Sequence, residues 1–311
     1  MKLATLVACL LATTSLCSVT TAQQLVFVPD GYVCTDITPD GKFVVGNGDG
    51  GAFRWDWKND AAPTFIGGNT AVAVSDDGMT ILGHIYDPPG SSDSYAGIWT
   101  QLGGWQSLGT LGSCDSSNSS PYDLSGDGLV AVGLTWAGCS GRGFRWTAAT
   151  GMEALETLGN GGNRASVTND DGSVIGGFAQ GNFSRTPARW AGDLTGSVYD
   201  MEAGGELYGM NNDGSTVLGA WNGEGFILDS TSFNSIGSLN NGWVGRPQSI
   251  TEDGTLVAGY DTMLLASQAW LWKQSTGFVS MDDVLVSSGI LGAPAIYQCR
   301  AMTDDGNIIV G

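Results

Sequence analysis

The string SGDGLVAVG at residues 125–133 returns six more times with substitutions: TPDGKFVVG at 38–46, SDDGMTILG at 75–83, NDDGSVIGG at 169–177, NNDGSTVLG at 211–219, TEDGTLVAG at 251–259 and TDDGNIIVG at 303–311. Every copy places a glycine five residues beyond the turn glycine: Gly46, Gly83, Gly133, Gly177, Gly219, Gly259 and Gly311. Asp-Gly between two short apolar runs signals a β-hairpin, because Asp accepts nearby backbone amides and Gly supplies the positive φ that closes the turn. The pairs stand 37, 50, 44, 42, 40 and 52 residues apart, so the repeating unit has fixed strands and loops of variable length.

Working outward, the run before each turn carries Ile37, Val74, Leu124, Val167, Met210, Ile250 or Met302, and the run after it is rich in Val, Ile and Leu. These are strands A and B, covered on both faces. A third element follows in AFRW at 52–55, AGIW at 96–99, GFRW at 143–146, PARW at 187–190, GFIL at 225–228 and AWLW at 269–272. A fourth follows in TFIG at 64–67, WQSLGTL at 105–111, GMEALETL at 151–158, FNSIGSL at 233–239 and GFVSM at 277–281, and is faintest in the fourth copy. Four antiparallel strands at this period predict the blade of an all-β propeller. The expectation is a seven-bladed ring with its last blade truncated, because the chain reaches Gly311 directly after strand B of the seventh copy. The repeat period leaves roughly 10 to 20 residues to complete that blade. Leu25–Val28, an orphan apolar run, is expected to serve the last blade as an outer strand. A helical pattern shows only weakly, around Met281–Ile290.

Residues 1–22 read as a secretory signal: Lys2, an apolar stretch from Leu3 to Leu16, then the small residues Thr20, Thr21 and Ala22. Residues 23–311 then form a single propeller domain, with units at about 32–70, 71–120, 121–163, 164–206, 207–245, 246–298 and a partial 299–311. A formal charge of −19 excludes a phosphate-backbone binder, since neutralising phosphates takes Lys and Arg. No apolar run beyond the signal is long enough to span a bilayer. The sequence thus points to an exported chain that binds no nucleic acid and inserts in no membrane.

The order LGTLGS at 108–113, SGDGLVAVG at 125–133 and GFRWTAATGMEAL at 143–155 resembles the HAF repeat proteins, extracellular propeller-like chains of bacteria. The resemblance spans about residues 30–311 and rests on order and spacing. It departs at the family's His-Ala-Phe, where this chain has Gly51-Ala52-Phe53 and Arg142-Gly143-Phe144. The resemblance implies an exported surface or matrix protein and carries over no catalytic residue.

Beyond the signal four cysteines remain, Cys34, Cys114, Cys139 and Cys299, an even number that favours two disulfides in an oxidising compartment. Cys114 and Cys139 fall in connections at one blade boundary and are expected to pair. Cys34 and Cys299 hold equivalent places in the first and seventh copies and could latch the ring.

Chemistry offers less. His84 is the only histidine, follows Gly83 at a strand end, and is expected to face solvent. Each Asp-Gly turn supplies one obligatory carboxylate, too few for calcium; Asn47 and Asp49 are the first place to look for a cation. No cofactor is implied. A sialidase-like Asp-box would also put Ser, Asp and Gly in a blade hairpin, but the Trp that closes such a box follows none of the seven turns. The reading is therefore a non-catalytic extracellular binding or structural module, with a glycan-active enzyme on a sialidase-like propeller as the alternative. Just beyond strand B come Tyr86, Trp136, Phe178, Trp221 and Tyr260, joined by Trp243 from another connection on the same rim. Aromatic faces beside Asp and Asn suit sugar rings, so these six are the candidate ligand-binding residues, and a glycan or a cell-surface protein is the expected partner.

Overall fold

The computed structural model describes residues 24–28, 31–87, 89–90, 93–112, 118–137, 140–159, 161–180, 184–199, 204–230 and 232–311. The signal segment, Cys114 and Cys139 lie outside the described residues.

Each turn closes in the same way, through a side chain that composition does not reveal. The first residue of each quoted string, Thr38, Ser75, Ser125, Asn169, Asn211, Thr251 or Thr303, anchors the hairpin. Ser125 Oγ donates to Asp127 Oδ1 at 2.6 Å and accepts from Val130 N at 2.9 Å, while Asp127 Oδ1 accepts from Leu129 N at 2.9 Å. Thr38 with Asp40, Ser75 with Asp77, Thr251 with Asp253 and Thr303 with Asp305 repeat the pattern. The turn glycines adopt φ between +65° and +72°, the left-handed region that only glycine enters at no steric cost.

Among the described residues six antiparallel sheets of four strands result, each ordered A-B-C-D, as in the first: Val33–Ile37, Phe43–Gly48, Gly51–Asp56 and Thr64–Gly67. A seventh, two-stranded sheet, Ala301–Met302 with Ile309–Val310, fills the gap between the sixth blade and the first. The A strands of neighbouring blades lie side by side around a central channel: Val33–Ile37, Thr70–Val74, Ser119–Leu124, Asn163–Thr168, Gly205–Met210, Val244–Ile250 and Ala301–Met302. The D strands form the exposed outer edge; that of the fourth blade, Gly196–Val198, has three residues. The expected helix is a short one, Met281–Ser287, capped by Ser280.

A four-stranded sheet has two apolar faces, and the ring covers them pairwise. Among the described residues seven separate cores result, one in each gap between neighbouring sheets. Leu25 packs on the core between the sixth blade and the two-stranded sheet, Val26 and Val28 on the core between that sheet and the first blade. This period-two alternation places the N-terminal run in the seventh sheet's position in the ring. Of the strand C tryptophans, Trp190 and Trp270 are fully buried and Trp55 is buried, whereas Trp99, Trp146 and Trp272 sit at the edges of their cores.

The proposed ring latch does not form. Cys34 is buried in the core between the two-stranded sheet and the first blade, Cys299 in the core between the sixth blade and the two-stranded sheet. No bridge joins them. Rotational repetition is the reason: equivalent positions point the same way around the ring, so each enters the gap on the same side of its own sheet. Burial pushes the Cys299 thiol up to about 12.

Candidate functional site: the mouth of the central channel

The decisive geometry is a bulge in strand A. In each of the six four-stranded sheets the pairing of A with B slips by one residue between the positions four and two before the anchor, as between Cys34 and Asp36 or Ala165 and Val167. The extra residue, three before the anchor, has no partner across the ladder, and such a residue is re-aimed out of the sheet. The trailing glycine of strand B makes room for the bulge. A Cβ at Gly46, Gly83, Gly133, Gly177, Gly219 or Gly259 would overlap the carbonyl oxygen of Val33, Thr70, Ser120, Arg164, Glu206 or Arg246 respectively.

The seven residues three before the anchor are Thr35, Val72, Tyr122, Ser166, Tyr208, Gln248 and Arg300, and all line the central channel. Four of the residues five before the anchor, Thr70, Arg164, Glu206 and Arg246, line it too. The cavity measures about 810 Å³.

Its wall is polarised. On the side of the fourth and fifth blades, buried Glu206 is held by two guanidiniums: Arg164 pairs with Oε1, and Arg185 Nη1 donates to Oε2 at 2.9 Å. Aromatic rings set these cations in place. The Arg164 guanidinium lies 4.4 Å from the Tyr122 ring centroid and 4.9 Å from that of Phe178, with Arg185 4.3 Å from Phe178. Arg246 lies 5.4 Å from the Tyr208 ring. Burial and the Glu206 charge push the Tyr208 hydroxyl up to about 12, so it stays a hydrogen-bond donor. The first and third blades present Asp36 and Asp123, both raised to about 7 by burial against the pull of backbone N–H donors.

His84 also faces this channel instead of solvent. Its Nδ1 lies 2.9 Å from Thr70 Oγ1, burial lowers its pKa, and no carboxylate among the described residues pairs with it. Asn47 Oδ1 accepts from Ala71 N at 2.6 Å, which ties blade one to blade two. Among the described residues no group of three His, Cys, Asp or Glu could hold a metal ion.

The six aromatic candidates are not gathered into one surface. Tyr260 lines the channel, and Tyr86 lines a separate pocket with Trp105 between the first two blades. Phe178 is buried beneath the arginines, and Trp136 is 41% exposed. Trp221 packs edge-on against Phe233 at 5.5 Å, and Trp243 sits half-buried in its loop. Strand periodicity separates them: Phe178 and Tyr260 follow the trailing glycine by one residue, Trp221 by two, Tyr86 and Trp136 by three. They therefore differ in height or in sheet face. The channel wall was missed, yet a signal existed. In the aligned repeats the column four before the anchor is Cys, Ala, Pro, Ala, Leu, Pro and Cys, while the next column is Thr, Val, Tyr, Ser, Tyr, Gln and Arg. A mostly polar column inside an apolar strand marks a wall that faces no core.

Sheets of four antiparallel strands around a channel define a β-propeller. Three solved structures are similar at this level. A putative TolB from Agrobacterium tumefaciens superposes with TM-score 0.54 at 14% identity, covering 92% of this chain and 91% of that one. The hydrazine synthase of Kuenenia stuttgartiensis gives 0.55 at 12% identity, with 94% of each chain covered. An oligogalacturonate lyase from Vibrio parahaemolyticus gives 0.53 at 14% identity, with 80% and 78% covered. At these identities the likeness is one of fold. No family model and no curated protein matches the chain.

Proposed function

We propose that this chain is an exported, non-catalytic binding module of the HAF repeat kind, a seven-bladed ring whose ligand enters the mouth of the central channel. The observation that carries the reading is the repeated bulge: in each four-stranded sheet it turns one strand A side chain out of the sheet, and these residues, with Arg300 of the seventh unit, line a single cavity. A concave site lined by a few convergent polar groups is where ligands are expected. Residues 1–22 support export, and among the described residues no helix is long and apolar enough to cross a membrane. The partner is a glycan or a cell-surface protein that presents a protruding polar group.

The rival reading, a glycan-active enzyme, draws on Asp36 and Asp123, whose raised pKa values suit acid–base work. Their bonding favours a structural role. Asp36 accepts Ile37 N on one oxygen and Val74 N on the other at 2.8 and 2.9 Å; Asp123 does the same with Leu124 N and Thr168 N at 2.9 and 2.8 Å. The test is a glycan array probed with the wild-type chain and with Ser166→Trp, which fills the channel. Retention lost in the filled variant is the expected result. Retention unchanged by filling overturns the channel as the site, and hydrolysis abolished by Asp123→Asn overturns the non-catalytic reading.

A further inference from the structure

The channel wall shows which chemistry it holds. Where strand A of the fifth blade supplies Glu206, two guanidiniums close on the carboxylate, one to each oxygen. Arg164 is thereby fully engaged, since its Nε also donates to Ser166 Oγ at 3.1 Å and its Nη1 to the Tyr122 hydroxyl at 3.2 Å. The next two units offer a second pair of guanidiniums. Arg246 of the sixth blade donates only through Nε, to Thr262 Oγ1 at 3.3 Å, and its two terminal nitrogens make no hydrogen bond among the described residues. Arg300 of the seventh unit gives Nη2 to Gln298 Oε1 at 2.7 Å and keeps its side chain exposed. No carboxylate among the described residues lies within ion-pair distance of either arginine.

Two lining cations with no carboxylate partner among the described residues, in a chain of only 12 basic residues against 31 acidic ones, are left open to an anion from outside. Planar guanidiniums match a carboxylate in two-pronged fashion. Neutral polar groups line the wall with them: Gln248, Ser249 and the Tyr208 and Tyr260 hydroxyls, and Thr35, Asn47 and Thr70 from the first two blades. Such donors and acceptors suit the hydroxyls of a sugar ring. Anchoring by aromatic faces, as Tyr208 does for Arg246, fixes the cation before the ligand arrives.

We propose that the channel mouth takes a carboxylate-bearing sugar, a uronate residue of an acidic polysaccharide, with its carboxylate between Arg246 and Arg300 and its hydroxyls on the neutral wall. This rests on the channel being the binding site. The experiment is calorimetric titration of the full chain with an oligoglucuronate, its carboxyl-reduced neutral counterpart, inorganic phosphate, and a short peptide in free-acid and amidated forms. Wild-type protein should bind the oligoglucuronate, and both carboxyl reduction and Arg246→Gln or Arg300→Gln should weaken binding by about tenfold or more, as loss of a charged partner does. Arg246→Lys, which keeps the charge but not the fork, should fall between. Circular dichroism and Tm of each variant establish that it is folded. Equal affinity for the neutral oligosaccharide, if lost on channel filling, overturns the uronate inference and leaves the channel as the site. Stronger binding of phosphate or of the free-acid peptide likewise overturns it. No binding of the oligoglucuronate at millimolar concentration also overturns it, whatever glycans the array retains.

Discussion

Val74 donates its backbone N–H to Asp36 Oδ2 at 2.9 Å, although the two residues belong to neighbouring blades. Thr168 and Asp123 repeat the contact two blades further on, at 2.8 Å. Both carboxyls are stitches between sheets, and burial holds each at about 7 against 3.8 in the unfolded chain. Asp170, raised to about 6 by burial and then by the charges of Asp76 and Asp304, belongs with them. Through this window the folded chain keeps protons that the unfolded chain has released, so stability falls as pH rises. The turn carboxylates act with the opposite sign. Asp77 and Asp253 are lowered, first by their Ser75 and Thr251 hydrogen bonds, and their contribution is lost only as pH drops below the usual range. Tm should therefore peak near about pH 5 and decline toward pH 8. Asp123→Asn should flatten that decline, and a Tm that climbs between pH 6 and pH 8 would contradict the assignment.

Ser125 is buried and closes its turn on both sides. Ser125→Ala leaves the buried Val130 N–H without its acceptor, at a cost of ~1–3 kcal/mol. Ser125→Thr should stay near wild type, because Thr38, Thr251 and Thr303 do the same work in their own copies. Urea unfolding midpoints measure the difference, and equal midpoints for the two variants would refute the anchor role.

Gly177→Ala puts a methyl group onto the Arg164 carbonyl oxygen, which is backbone and cannot swing away. Relief requires strand A and strand B to part, so the loss should exceed the ~1–3 kcal/mol of ordinary overpacking. Gly277→Ala is the control: nothing lies within 4 Å of its Cβ position, and only its φ of +74° opposes the change, at about 1 kcal/mol. Thermal melts in which both variants lose the same amount would show that the bulge does not depend on the trailing glycine.

Phe178 and Trp136 occupy the same strand in neighbouring blades and should respond differently. Phe178→Ala removes a buried ring that supports both Arg164 and Arg185, with an expected loss of ~3–5 kcal/mol and weaker channel binding. Trp136→Ala trims a ring already 41% in solvent, so its loss should be well under that of Phe178→Ala, with array retention unchanged. Retention lost in Trp136→Ala alone would move the site to the rim.

The architecture was legible because turn chemistry and strand alternation are local: Asp127-Gly128 and Gly133 declare a hairpin within nine residues. The site was not, because it is an angular property. Arg164, Arg246 and Arg300 come from three different copies and meet only when the sheets surround one axis. The Ser, Thr or Asn anchor stood in plain view at the head of each string, but without the closed turn nothing separated it from an ordinary polar residue. Cys34 and Cys299 failed as a latch for a related reason. Matching positions in a repeat are related by rotation, which carries their side chains into successive gaps and not toward each other.

In the six four-stranded sheets the bulged residue of strand A has no partner across the ladder and lines the channel, so its neighbours are other wall groups: Tyr122 and Ser166 hold Arg164, and Thr35 reaches the Ala71 carbonyl of the next blade. Thr35, Val72, Tyr122, Ser166, Tyr208 and Gln248, with Arg300 at the matching place in the seventh unit, thus form one ring of positions to which every unit contributes. Changing them together with the wall groups they touch would alter the lining of the channel without entering the cores, an arrangement suited to diversification by exchange of whole units.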